Sequence, residues 1–361
     1  MAISIVIAFL VTCLFIWALI PVAHRINLVD KPGGRKKHNG SIPLIGGIAM
    51  YIGLIIGLDV SDHSFTEVKG LLVAGGILLI VGTIDDYVDL RASVRFLAQI
   101  VAALIIIFTD GVILQSLGQL FGNGVVSLEG VATVFTIFAI IGVINTTNMS
   151  DGIDGLAGGL SSVAILALVL ASGGALASAD NYVYSIILAT LIAFLLFNLR
   201  TPWNKEAKIF MGNGGSMFLG LTIAWLLIHA SQGEQAIITP VTALWIFALP
   251  LLDTICVMIR RISKGKSPFA PDREHFHHIF LVAGYSTKQS VWIMIVVSSV
   301  LATIGLIGYF SKLPEALMFV GILSLFGLYF WGMSHAWKVM KVIRLDNKGS
   351  SAGGSVDTPV K

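Results

Sequence analysis

Charge is scarce in this chain of 361 residues: Asp, Glu, Lys and Arg together make up 12% of it, whereas hydrophobic residues make up 56%. A soluble domain carries about twice that charged fraction, roughly 25%. The scarcity therefore excludes an ordinary soluble protein. A mean hydropathy of +0.90 predicts instead an integral membrane protein that crosses the bilayer several times.

Cysteine is nearly absent as well. The two cysteines, Cys13 and Cys256, both lie in apolar segments, so neither a disulfide framework nor a cysteine zinc site is supported. The N-terminal segment 1–20 lacks both a leading basic residue and a small-residue cleavage site. These two absences predict a first membrane span rather than a signal peptide.

Long apolar runs dominate what is present. Because a helix needs about 20 apolar residues to cross a bilayer, the sequence predicts an all-α fold with eleven transmembrane helices in one domain, residues 1–335. The predicted spans are 2–20, 43–60, 68–84, 94–110, 130–147, 158–176, 183–199, 214–230, 237–259, 289–310 and 315–335. The remaining tail, 336–361, is predicted to be disordered from about residue 347, where hydrophobic residues are few.

The basic residues lie on one side of these spans. Of the 23 Lys and Arg residues, all except Lys69 and Lys312 fall in alternate gaps, in the turns that flank those gaps, or in the tail. The positive-inside rule makes those gaps cytoplasmic, with a periplasmic N-terminus and a cytoplasmic C-terminus. The cytoplasmic loops are then 21–42, 85–93, 148–157, 200–213 and 260–288. A basic inner face attracts anionic lipid headgroups and soluble anionic substrates.

Two acidic motifs end spans on this basic face. The third span ends in the adjacent carboxylates of Asp85 and Asp86, which could hold Mg²⁺ against phosphates or supply a general base. The fifth span ends in Asn148, Asp151 and Asp154, with no Lys or Arg in the segment to neutralise the acids. We therefore predict a metal or a coordinated substrate at this segment. A capped helix end beside nearby arginines and a polar turn are the structural alternatives.

Two further motifs lie on the same face. A Gly-rich turn, Phe210 to Ser216, opens the eighth span and could offer backbone N–H groups to phosphate, or simply small residues for helix packing. The longest inner loop contains Arg273, His275, His277 and His278. Phosphate binding, zinc binding and a structural hydrogen-bonded cluster all remain open for these side chains.

Taken in order, these motifs resemble the polyprenyl-phosphate N-acetylhexosamine-1-phosphate transferase family over roughly residues 30–285. The matching segments are Asp30–Pro32, Asp85–Asp89, Asn148–Gly155, Phe197–Asn198, Phe210–Ser216 and Ser267 through His278. The family topology also has eleven spans. The family performs phosphotransfer, which implies that a sugar 1-phosphate passes from a UDP-sugar to undecaprenyl phosphate with release of UMP.

The resemblance implies the setting of that reaction. The default sugar is N-acetylglucosamine, with other N-acetylhexosamines left open, and the product would initiate an O-antigen or related surface glycan. Mg²⁺ is the implied cofactor, with Mn²⁺ as an alternative. The enzyme would lie in the bacterial inner membrane with its active site facing the cytoplasm. A homodimer is compatible with this picture, and no nucleic-acid partner is expected.

The resemblance also implies roles for individual residues. Asp85 or Asp86 would activate the lipid phosphate, while Asp151 and Asp154 would lie beside the nucleotide and metal. The implied substrate contacts are Asn148, Asn198 and Phe210 (the last two at the uridine, with Phe210 stacked on uracil), and Arg273, His275, His277 and His278 at the sugar phosphate.

One position departs from the family pattern. Asn213 stands where the family usually has an Asp that is expected to bind Mg²⁺. An amide oxygen can still bind a metal ion but carries no charge. We therefore expect metal binding through Asp151, Asp154 and Asn213 to be weaker than in relatives that have the Asp.

Two other functions are weighed against this one. A membrane prenyltransferase would share the Asp85–Asp89 motif but would give no role to Phe210 or the histidines. A transporter would need ionisable groups or broken helices near the bilayer midplane, whereas the charges here cluster at one end of the spans. For the transferase itself, direct attack and a covalent phospho-aspartate both fit the residues.

Overall fold

The protein is described by a computed structural model that covers residues 2–31, 40–61, 65–174, 181–234, 236–267 and 275–335. In these ranges the helices are α1 (Ala2–Ile26), α2 (Gly46–Asp59), α3 (Lys69–Val88), α4 (Ala92–Thr109), α5 (Ala132–Ser150), α6 (Leu156–Ala171), α7 (Tyr182–Asn198), α8 (Gly212–Ser231), α9 (Pro240–Ile246), α10 (Ala248–Ser263), α11 (Phe276–Val282), α12 (Thr287–Phe310) and α13 (Glu315–Ser334). A two-residue antiparallel ribbon joins β1 (Val29–Asp30) to β2 (Ile42–Pro43), and a 3₁₀ turn spans Phe65–Val68. The helical fold predicted from the sequence is present.

Seven of the described helices are long and apolar enough to cross a membrane: α1, α3, α4, α5, α8, α12 and α13. The pair α9 and α10, bent by 82°, makes an eighth if it is one broken span. The predicted count of eleven is not reached because three predicted spans form the shorter helices α2, α6 and α7, of 14, 16 and 17 residues. At 1.5 Å per residue these helices measure about 21–26 Å, less than the roughly 30 Å of a bilayer core.

Helix α8 lies at the centre of the bundle and is almost entirely buried. Its first turn packs against two other helices through glycine. A Cβ on Gly214 would meet the Leu79 carbonyl oxygen of α3 at 2.5 Å, and a Cβ on Gly215 would meet the Gly47 Cα atom of α2 at 2.7 Å. These two glycines therefore serve helix packing, and they bring the end of α3 against the start of α8.

Asp110 ties three helices together at the other end of the bundle. Its carboxylate follows α4 and accepts hydrogen bonds from the N–H groups of Gly70 (2.6 Å) and Leu71 (2.9 Å) in the first turn of α3. It also accepts one from the Trp225 indole of α8, at 2.9 Å. A carboxylate at a helix N-terminus satisfies N–H groups that have no partner inside the helix.

Replacing Asp110 with Ala should lower the free energy of unfolding by about 3 kcal/mol, because three donors lose a charged acceptor. Asp59, an exposed residue at the end of α2, provides the control. Asp59→Ala should change the stability by less than about 0.5 kcal/mol. Unfolding in mixed micelles with increasing SDS measures both values. Equal stabilities for the two variants would show that the Asp110 contacts do not hold the helices.

Candidate active site

Two connected pockets open at the end of the bundle where α3 and α5 end and α8 begins. The larger has a volume of about 1200 Å³ and the smaller of about 730 Å³. Asp89, Gly152, Asn213 and His278 line both pockets. Motifs that are more than a hundred residues apart in the chain thus share one cavity, as the sequence predicted.

The larger pocket, here called the acidic pocket, gathers the predicted carboxylates. Its acidic lining residues are Asp30, Asp85, Asp86, Asp89, Asp151 and Asp154. Among the described residues that line it, Arg200 is the only Lys or Arg. So many carboxylates facing so little positive charge favour a cation in this pocket.

Asp85 is buried and its oxygens are already occupied. It accepts hydrogen bonds from Arg95 Nη1 (2.9 Å), the Leu90 N–H (2.8 Å) and Asn213 Nδ2 (2.9 Å). Three donors, one of them cationic, hold the carboxylate in place. The arginine-paired helix end anticipated as an alternative therefore describes Asp85 well.

Asp86 lies at the N-terminus of α8. The Asn213 N–H donates to both of its oxygens, at 3.1 and 2.9 Å. Gly212 allows this approach, since its φ is +77° and a Cβ there would meet Asp86 Oδ2 at 2.7 Å. The sequence suggested that this Gly-rich turn would bind a phosphate. In the structure a carboxylate of the protein accepts from the Asn213 N–H of this turn. Phosphate binding by the turn stays a prediction.

Asp151 and Asp154 differ sharply in their partners. Asp154 accepts a hydrogen bond from Arg200 Nε at 2.6 Å. Asp151 accepts no hydrogen bond from any residue that the structure describes. Burial, and then the negative charges of Asp86 and Asp154, raise the pKa of the Asp151 carboxyl well above its usual value. Asp151 therefore marks the point where negative charge in the pocket is least compensated.

The predicted metal ligands fit a divalent cation only in part. Within the described ranges, no three His, Cys, Asp or Glu side chains are grouped as ligands. Asp154 is paired with Arg200, and the Asn213 amide donates to Asp85. The Asn213 oxygen accepts from Asn148 Nδ2 at 3.3 Å. The uncompensated Asp151 carboxylate is the feature that a cation would stabilise.

Asn198 and Phe210 both line the acidic pocket but are held differently. The Asn198 oxygen accepts from the Gly155 N–H at 2.7 Å, and its Nδ2 donates to the Ile209 carbonyl oxygen at 2.8 Å. Asn198 therefore fastens the loop after α5 to the segment before α8. Phe210 is anchored by its backbone, whose N–H donates to the Pro43 carbonyl at 2.8 Å. Contact of these two side chains with uridine stays a prediction.

The smaller pocket, here called the histidine pocket, is lined by the predicted His275, His277 and His278. The rings of His275 and His277 stack with centroids 5.7 Å apart, and those of His277 and His278 lie 4.2 Å apart. Asn148 and the cationic side chains of Arg95 and Arg261 also line it. The chemistry of this pocket suits an anion.

His277 is the most buried of the three, with 2% of its surface exposed. Burial, followed by the charge of His278, lowers the pKa of His277 to about 3. Its Nε2 atom is buried without a hydrogen-bond partner among the described residues. His277 is thus a neutral imidazole near neutral pH and contributes no charge to phosphate binding.

The low pKa of His277 predicts a pH dependence of stability. The side chain of His277 binds a proton near pH 6.5 in the unfolded chain and only near pH 3 in the folded chain. Below pH 6.5 the proton therefore favours the unfolded chain, and the free energy of unfolding decreases as the pH falls. When the pH is lowered from 7.5 to 4.5, the free energy of unfolding should fall by about 2–3 kcal/mol less in His277→Gln than in the unchanged protein. The exposed His24→Gln serves as control. A variant that matches this control would contradict a buried neutral imidazole.

Sequence reasoning missed Arg200 and Asp253. Asp253 lies inside the predicted span 237–259, and an acid within an apolar run signals function because its burial is costly. The position of Asp253 in an apolar run could therefore have identified it from the sequence alone. Arg200 carried no signal of its own, because its ion pair with Asp154 joins loops 46 residues apart. The predicted phosphate contact Arg273 lies outside the described residues.

Comparison with known proteins gives consistent matches. The model of glycosyl transferase family 4 matches residues 68–231. A protein of Pasteurella multocida (strain Pm70) is 40% identical over 350 residues, which is 95% of this chain and 96% of that protein. A Haemophilus influenzae protein is 38% identical over 94% of this chain and 96% of its own length, and one of Salmonella typhi is 38% identical over 93% and 92%. All three are named undecaprenyl-phosphate alpha-N-acetylglucosaminyl 1-phosphate transferase.

Proposed function

This chain belongs to glycosyl transferase family 4, and on that basis we propose that it transfers N-acetylglucosamine-1-phosphate from UDP-N-acetylglucosamine to undecaprenyl phosphate, releasing UMP. The observation that carries the proposal is the acidic pocket. It unites Asp85, Asp86, Asp151 and Asp154 in one cavity, in a chain that is similar over more than nine tenths of its length to transferases with this name.

The reaction joins two anions that repel each other. In the direct form of the reaction, an oxygen of the lipid phosphate attacks the β-phosphorus of the sugar nucleotide, and the bond from that phosphorus to the bridging oxygen breaks as UMP leaves. Catalysis of such a transfer rests mainly on positioning and on neutralising charge. The histidine pocket, with Arg95 and Arg261, supplies positive charge from the protein. The acidic pocket needs a cation to accept any phosphate at all.

We propose Mg²⁺ as that cation, with Mn²⁺ able to replace it. Asp151, Asp154 and Asn213 would hold the ion, and Asp86 lies close enough to Asp151 to raise its pKa. A bound Mg²⁺ would neutralise the phosphates and the leaving UMP. To Asp86, whose oxygens accept from the Asn213 N–H, we assign the role of accepting a proton from the lipid phosphate or orienting it.

The proposed topology has eleven spans in the bacterial inner membrane. The seven long helices, the bent pair and the shorter α2, α6 and α7 add up to that number. The one-sided placement of Lys and Arg supports a periplasmic N-terminus and a cytoplasmic cavity. A cytoplasmic cavity at the membrane surface would admit a lipid phosphate from the bilayer and a sugar nucleotide from water.

Release of UMP by the purified protein tests the proposal and identifies the sugar. We expect UMP only when undecaprenyl phosphate, Mg²⁺ and a UDP-N-acetylhexosamine are present together, with UDP-N-acetylglucosamine the best of a panel of UDP-sugars. Omitting each component in turn gives the controls. A prenyl diphosphate consumed without any UDP-sugar would support the prenyltransferase alternative instead.

A further inference from the structure

Asp253 is a buried carboxylate on α10 that lies behind the histidine pocket, with 7% of its surface exposed. Its Oδ1 atom accepts hydrogen bonds from the Phe276 N–H (3.0 Å) and the Tyr329 hydroxyl (2.8 Å). Its Oδ2 atom lies 2.9 Å from His275 Nδ1. A buried carboxylate is costly unless its hydrogen bonds are complete, and these three partners complete them.

This arrangement fixes the protonation pattern of His275. A carboxylate can only accept, so His275 Nδ1 carries a hydrogen and donates it to Asp253. Nε2 is then the nitrogen left for the histidine pocket, which His275 lines. Nothing among the described residues hydrogen-bonds that Nε2. A carboxylate that holds the far nitrogen of an imidazole sets both its tautomer and its ring orientation.

We propose that Asp253 is a positioning residue for phosphosugar transfer: it holds the hydrogen on His275 Nδ1, so that the Nε2 lone pair faces the pocket and accepts a hydrogen bond from a hydroxyl or N–H group of the sugar nucleotide. The proposal rests on the proposed function. The ring of His277, stacked on that of His275, restricts movement of the imidazole.

Asp253→Asn should reverse the tautomer without changing the size of the side chain. The new amide oxygen would stay at the Oδ1 position, because two donors, Phe276 N–H and Tyr329 hydroxyl, point there. The NH₂ group would then face His275 Nδ1, which could only accept, and the imidazole hydrogen would move to Nε2. Tyr329→Phe is the matched control, since it removes one hydrogen bond to Asp253 and leaves His275 untouched.

The kinetic test is a double-mutant cycle on UMP release. Asp253→Asn should lower kcat/KM for UDP-N-acetylglucosamine by about 10- to 100-fold, and Tyr329→Phe by less than about 3-fold. In a His275→Gln background, Asp253→Asn should have almost no further effect, because the two residues act as a unit. An equal loss in both backgrounds, or no loss from Asp253→Asn alone, would overturn the proposal.

A second readout does not depend on activity. In protein labelled with ¹⁵N-histidine, the His275 signals are those missing from His275→Gln. They should show the hydrogen on Nδ1 in the unchanged protein and in Asp253→Glu, and on Nε2 in Asp253→Asn. A hydrogen on Nε2 in the unchanged protein would overturn the proposal even if Asp253→Asn does not fold. Absence of UMP release with the expected tautomer would instead refute the proposed function.

Discussion

Asp151→Asn should lower UMP release by about 1000-fold or more while leaving the protein folded. Among the four carboxylates predicted for the site, Asp151 is the one that accepts no hydrogen bond from the described residues, so the substitution removes charge and breaks no contact of the protein. The negative charge of Asp151 is what would hold the cation that neutralises the transferring phosphate. Losing one such electrostatic group commonly costs two to three orders of magnitude in rate, and more where several groups act together.

The same substitution should leave thermal stability unchanged or raise it. The raised pKa of Asp151 means that its charged form is disfavoured in the folded protein, by burial and by Asp86 and Asp154. A raised carboxyl pKa costs stability as the pH rises above about 3.8, so any gain of the variant should be largest at neutral pH and shrink toward pH 4. The melting temperature at pH 7.5 and 4.5 measures this.

The matched comparison for Asp151→Asn is Asp154→Asn. That change breaks the ion pair with Arg200 and should lower activity and stability together. Activity above one tenth of normal in a folded Asp151→Asn protein would remove Asp151 from the site. A loss of stability as large as that of Asp154→Asn would show that Asp151 has a structural role.

Asn213→Asp is the second change with a large expected effect. The new carboxylate would lie where Asn213 Nδ2 now donates to Asp85 Oδ2 at 2.9 Å. Two like charges about 4 Å apart repel by roughly 4 kcal/mol at an effective dielectric constant near 20. In EDTA the variant should therefore be clearly less stable than the unchanged protein, and Mg²⁺ should restore it.

The Mg²⁺ dependence of both activity and melting temperature tests this prediction. We expect the variant to reach half-maximal activity at a Mg²⁺ concentration about tenfold lower, since a charged ligand replaces a neutral one. Asn213→Ser, which removes the donor to Asp85 without adding charge, is the control and should not gain affinity for Mg²⁺. An unchanged Mg²⁺ titration in Asn213→Asp would show that position 213 is not a metal ligand.

The sequence predicted the class of fold well because long apolar runs in a sequence form membrane helices. Even the Gly-rich third and eighth predicted spans form the long helices α3 and α8. The predicted spans 43–60 and 158–176 were longer than the helices α2 and α6 that form there, whereas α7 has the predicted length of 17 residues. Hydropathy measures how apolar a run is and not where its hydrogen bonding stops. Ser172 and Asn204, for example, bond carbonyls at the ends of α6 and α7 and so mark those ends.

The sequence predicted which motifs lie together in the site. It did not predict which of their atoms are free to face a ligand. Asp85 and Asp86 are adjacent and chemically identical in the sequence. Only tertiary contacts distinguish them. Asp85 accepts hydrogen bonds from Arg95 and from Asn213 Nδ2, whereas Asp86 accepts one from the Asn213 N–H. Asn198 likewise had the residue type of a substrate contact, yet its amide bonds two backbone groups. Such partners depend on packing between distant segments.

A phosphosugar, rather than a sugar alone, should move to the lipid. UDP-N-acetylglucosamine labelled with ³²P at the β-phosphate tests this directly, with purified protein, Mg²⁺ and undecaprenyl phosphate. We expect the label to pass into the lipid extract while the nucleotide released is unlabelled UMP, and we expect Asp151→Asn to abolish both. Labelled UDP in the aqueous phase with no label in the lipid would contradict it.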